Sequence, residues 1–148
     1  MKIAILLHLL GVTVWIGGMF FAYLCLRPAA GALELPLRLP LWAATLQRFF
    51  RWVWLSVALI LGSGFYMLNG IAQLARVPLY VYLMLHAGVL MMLIFAYVFF
   101  LPFPALKKAV AAQDWKAGAA ALNQIRIAVA VNLALGLLNI VIATAGAL

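Results

Sequence analysis

Acidic side chains are almost absent from this chain: Glu34 and Asp114 are the only two in 148 residues. Neither lies within a long apolar run, which excludes a paired-carboxylate mechanism inside an apolar core. Cysteine is scarcer still. Cys25 stands alone, so an internal disulfide, a dithiol redox pair and a Cys-x-x-Cys metal site are all excluded. Charge of either sign is thin, at 8% of residues, where an ordinary soluble domain carries about 25%. The ten Lys and Arg leave a net charge of +8. Such a balance often marks a nucleic-acid-binding protein, but that role needs a polar surface to carry the basic patch. With 70% hydrophobic residues and a mean hydropathy of +1.23, there is too little polar sequence to build one. Nucleic acid is therefore not expected as a partner, and a lipid bilayer is. The chain also lacks a nucleophile motif, a phosphate-binding loop and a His-Glu-x-x-His zinc site.

What the sequence has in quantity is uninterrupted apolar run. No charge occurs from Ile3 to Leu26, from Trp52 to Ala75, from Val77 to Leu106, or from Ile127 to Leu148. Each stretch reaches the ~20 residues that cross a hydrocarbon core as a helix. The pattern predicts an all-α fold, an integral membrane four-helix bundle forming one domain over residues 1–148, with helices at about 3–26, 50–71, 78–101 and 122–147. The first run is longer than the ~7–15 residues of a signal-peptide core, so it is expected to stay as a span. Arg27, Arg38, Arg48, Arg51, Lys107, Lys108, Lys116 and Arg126 fall between spans one and two or three and four; only Lys2 and Arg76 fall on the other side. The positive-inside rule then puts both termini on the outer, periplasmic side of a bacterial-type inner membrane. Loops of about 27–49 and 102–121 would be cytoplasmic. Pro28, Pro36 and Pro40 predict an irregular first loop, whereas Ala105–Val110 and Trp115 predict a short interfacial helix in the second.

Polar groups inside spans are expensive in lipid and are expected to face the bundle interior. They recur at helical spacing, giving one face per span. Span one aligns His8, Gly11, Trp15, Gly18 and Ala22; span two aligns Ser56, Ile60, Ser63, Met67 and Gly70. Span three aligns Tyr82, His86, Val89 and Leu93, and span four aligns Asn132, Gly136, Asn139 and Ala143. Helix packing accounts for the small residues. The two histidines carry a sharper reading, because spans one and three run in the same direction. Both would sit roughly 8–12 Å below the outer boundary, where they could bracket one ligand, with Met67 and Asn139 close in depth. Imidazole is the commonest ligand for transition metals and haem iron. Gly11 and Gly18 would leave room for a flat macrocycle. Met84, Met91 and Met92 point away from the His86 face and read as filler.

The segment His8-Leu9-Leu10-Gly11-Val12-Thr13-Val14-Trp15-Ile16-Gly17-Gly18 resembles the H-x6-W-x-G-G first helix of the copper resistance protein D (CopD) family. The Arg-rich loop and Ser63-Gly64-Phe65-Tyr66-Met67 resemble the same family, whose smallest members have four helices. That resemblance implies copper handling across the inner membrane, with His8 as a ligand. HemJ-type protoporphyrinogen oxidases, which bind haem b, look similar over the first two helices. They carry a functional lysine near the start of span three, where this chain has Tyr80 and Tyr82, so that oxidation is not expected here.

Three expectations follow. The first is a haem b protein with His8 and His86 as axial ligands, Gly11, Trp15, Gly18, Tyr82 and Asn139 lining the site, and electron transfer as its role. As an enzyme, it would be a membrane oxidoreductase. The second is a copper-binding or copper-transport protein using His8, His86 and Met67, since imidazole with soft sulfur suits Cu(I). The third is a structural subunit without a cofactor. A redox partner, a copper donor and a second copy of the chain are the partners these readings leave open.

Overall fold

The long apolar runs do fold as helices, and the helices extend well past them. In the computed structural model, which describes residues 1–72 and 77–146, there is no strand among the described residues. Helix α1 (Lys2–Phe21) passes through a π-helical turn, Ala22–Leu26, into the short helix α2 (Arg27–Ala30). Helices α3 (Leu35–Ala72) and α4 (Leu79–Phe100) follow. Then come α5 (Pro102–Ala111) and α6 (Trp115–Gly146). Four segments are long and apolar enough to cross a membrane: Lys2–Ala30, Leu35–Ile71, Leu79–Ala111 and Trp115–Gly146. The chain is thus a multi-pass membrane protein. Arg76, one of the two cations assigned to the outer side, lies outside the described residues.

The first connection is not irregular. Residues 35–49 are the opening turns of the 38-residue α3, and the prolines do not prevent this. Pro36 occupies the first turn of α3, where an amide hydrogen has no intrahelical acceptor to lose, and Pro28 directly follows the π-helical turn. Pro40 lies just inside α3 and costs that helix a single backbone bond. The second connection contains the expected short helix, α5. It ends where Gln113 takes a φ of 54°. Asp114 then opens α6, its Oδ1 accepting from the Ala117 amide at 3.1 Å.

Packing is pairwise. Helix α1 runs antiparallel to α3, and α4 antiparallel to α6. Small residues set the first contact: a Cβ at Gly11 would meet Ser56 O at 3.0 Å, and one at Gly18 would fall on the Phe49 ring. The pairs join at Gly136 of α6, where a Cβ would meet Ile16 of α1 at 2.9 Å and Met91 of α4 at 3.1 Å. Towards the connecting segments the core becomes aromatic. Phe50 stacks edge-on against Phe95 at 5.4 Å and Phe103 at 4.9 Å, and Trp15 meets Phe95 at 6.0 Å. These rings tie α1, α3, α4 and α5 together at one end of the bundle.

Candidate functional site

The α1–α3 seam is built from the two faces predicted for it. Ser56 and Ser63 are buried, Gly11 and Trp15 are buried, and Met67 is half-buried. His8 lies across this seam with its Nδ1 3.0 Å from Ser63 Oγ. The ring packs over Gly64, where a Cβ would stand 3.6 Å from His8 Cε1, an ordinary contact distance. The direction of the bond follows from proton counting. A serine hydroxyl has one proton, and Ser63 directs it back to the Leu59 carbonyl. Its oxygen therefore accepts from His8 Nδ1–H, which leaves the imidazole lone pair on Nε2. A metal-ligating histidine is held in the same way, one nitrogen donating to an oxygen and the other presenting its lone pair.

Thioether sulfur lies along the same seam. Met67 is one turn beyond Ser63 on α3, about 6 Å along the axis. Met1, two turns before His8 on α1, reaches over α3 so that its Cε would lie 3.1 Å from a Cβ at Gly70. Sequence reasoning passed over Met1. The signal was its seven-residue spacing from His8, which puts both on one helical stripe.

Span three departs from its predicted face. Tyr82, His86, Val89 and Leu93 are all exposed on the outside of α4. The interior is lined instead by Met91, Phe95 and Val98, with Met84 half-buried above them. The methionines read as filler thus include a true core residue. His86 meets its hydrogen-bonding need within its own helix, Nδ1 lying 2.7 Å from Tyr82 O. A polar group satisfied locally has no need of the interior, and so its position does not mark the inward face. The predicted match in depth survives better. Ile16 and Met91 meet at Gly136, and from that level His8 and His86 lie eight and five residues towards the end carrying the termini. The axial difference is about 4.5 Å. The rings nevertheless face different ways, one into α3 and the other outward.

Span four behaves as predicted, but for packing. Asn132 donates to Met91 O at 3.1 Å and Asn139 to Met84 O at 3.3 Å, both clamping α6 to α4. Asn139 is not part of the His8 site.

This geometry does not fit haem held between two histidines. His8 and His86 do not converge, and Gly11 and Gly18 are filled by Ile60, the Ser56 carbonyl and the Phe49 ring rather than left open for a macrocycle. Trp15 is buried against Phe95, and Tyr82 is exposed beside His86, so neither lines a common site. No group of three His, Cys, Asp or Glu side chains gathers among the described residues. The donors that share the α1–α3 seam are imidazole and thioether. No curated protein and no solved structure matches the chain. A family profile does, that of copper resistance protein D, over residues 43–146. The match takes in α3 from Ala43 onward and all of α4, α5 and α6, and leaves the His8 helix to the resemblance read from its motif. The HemJ likeness finds no such support. Covering more than half of the residues, the match shows that this chain belongs to the CopD family.

Proposed function

We propose that the protein binds Cu(I) on the α1–α3 seam as part of copper handling in the inner membrane, with His8 Nε2 and Met67 sulfur as ligands and Met1 as a third donor. Copper here is cargo rather than a resident cofactor. The observation that carries the reading is the Ser63 bond. It fixes the His8 tautomer and directs the lone pair of Nε2 away from Ser63, on a seam that also holds soft sulfur. Cu(I) prefers that donor set to the oxygen-rich sites of harder cations. Membership of the CopD family supports the same chemistry. His86 takes no part, since its ring lies on the outer face of α4.

Competition with a chromophoric Cu(I) chelator, using the full chain in detergent, tests this. His8→Ala and Met67→Ala should each weaken Cu(I) binding by more than the ~10–100-fold typical of losing an outer-shell partner. His86→Ala should leave it unchanged. Equal affinity in His8→Ala and the parent protein would remove the proposal. So would a Soret band in protein from haem-replete cells that His8→Ala and His86→Ala both abolish.

A further inference from the structure

A sizeable cavity lies away from the histidines, at the end of the bundle that carries the connecting segments. It is an open cleft with a volume of about 640 Å³, bordered by the π-helical turn, the first turns of α3 and residues 119–129 of α6. That volume is within the ~300–1,000 Å³ of small-molecule sites. Its walls divide by chemistry. Trp42, Leu46 and Phe49 form an apolar side, while three arginines, Arg27, Arg38 and Arg126, line the same space. Neither Glu34 nor Asp114, the only side-chain carboxylates in the chain, lines it. The π-helical turn shapes one edge. Its extra residue re-aims the chain at the end of α1, and Arg27 then lies 4.9 Å over the Tyr23 ring at the cavity wall.

We propose that this cavity is a binding site for an anionic phospholipid, its phosphate held by Arg27, Arg38 and Arg126 and one acyl chain laid against Trp42, Leu46 and Phe49. The argument is charge and polarity complementarity. Three cations without a carboxylate call for an anion, and guanidinium pairs with phosphate oxygens through two parallel hydrogen bonds. An apolar wall continuous with that cationic rim calls for hydrocarbon attached to the anion. A free phosphate would use only the first half of the site and a neutral lipid only the second. The site is independent of the copper proposal, since none of His8, Ser63, Met67 and Met1 lines it.

Native mass spectrometry of the full chain in neutral detergent provides the test, titrating phosphatidylglycerol against phosphatidylcholine of the same acyl chains. Phosphatidylglycerol should be retained about tenfold more tightly, the scale expected for a charge-assisted bond beyond a neutral one. The double variant R38Q/R126Q should bring it down to the phosphatidylcholine level. K107Q/K108Q removes the same charge from the same end of the bundle but outside the cavity, and should leave it unchanged. Inorganic phosphate should not displace the lipid. The proposal is overturned if R38Q/R126Q binds as the parent does, if both double variants lose binding equally, or if phosphate alone displaces the lipid. Circular dichroism checks folding. Should the double variant unfold, R126Q alone, altering an exposed side chain, carries the same comparison and is expected to lose part of the preference.

Discussion

Ser63 is the residue on which the His8 site depends, although it is not itself a ligand. It is buried, it returns its proton to its own helix, and it receives the Nδ1–H of His8. Removing the hydroxyl leaves the imidazole free to rotate or to change tautomer. Ser63→Ala is therefore expected to weaken Cu(I) binding by about 10–100-fold, while Ser63→Thr, which keeps the hydroxyl, restores most of it. Chelator competition on both variants decides this, with helicity by circular dichroism held as the control. Identical affinities for Ala and Thr would show that the bond serves packing only. His8, Ser63 and Met67 were legible because each keeps the helical spacing of a face that truly packs against a neighbour. His86 was misplaced for a reason that spacing cannot reveal: a histidine on a helix can bond the carbonyl four residues back, which removes the penalty that would turn it inward.

At the scale of the element, the turn between α5 and α6 shows how little charge the chain needs to set a boundary. Asp114, one of two acidic residues, caps α6, and Gln113 before it adopts the left-handed conformation that glycine accepts without strain. The Asp114 amide bonds Ala109 O at 2.9 Å and the Gln113 amide bonds Val110 O at 3.2 Å, closing the end of α5. Asp114→Ala should lower stability by about 1 kcal/mol. Gln113→Gly should raise it by about 1 kcal/mol, less the extra backbone freedom that glycine brings to the unfolded chain. Thermal melts in one detergent read both signs, and a stabilised Asp114→Ala would contradict the cap. Helix existence was legible throughout, because charge-free runs of this length admit little else in lipid. Helix ends were not. Pro28, Pro36 and Pro40 suggest a broken segment by composition, yet Pro36 falls in the first turn of α3 and Pro40, just inside it, removes a single backbone bond. The inward face of α4 was equally hidden, since apolar residues surround that helix and lipid and protein core accept the same side chains.

For the whole molecule, the distribution of cations has two physical consequences that must be consistent with each other. Eight of ten Lys and Arg flank the two connections that join α1 to α3 and α4 to α6. Cationic segments are retained on the cytoplasmic side during insertion, so that end of the bundle is expected to face the cytoplasm and both termini the periplasm. The copper seam would then open near the outer surface, with Met1 and Met67 closest to it, and the three-arginine cavity would meet the inner leaflet. Anionic headgroups give that leaflet surface its negative potential, so the orientation and the lipid preference follow from the same charges. Reporter fusions measure the orientation directly. Alkaline phosphatase joined after Leu148 should be active, and a fluorescent protein inserted at Gln113 should fluoresce, because each folds only on its own side. The opposite pair of signals would place the arginine cavity at the outer leaflet. Exchanging Lys107, Lys108 and Lys116 for Gln should begin to mix the two orientations, since it takes three of the eight cations from the retained side while leaving the cavity and the copper seam intact.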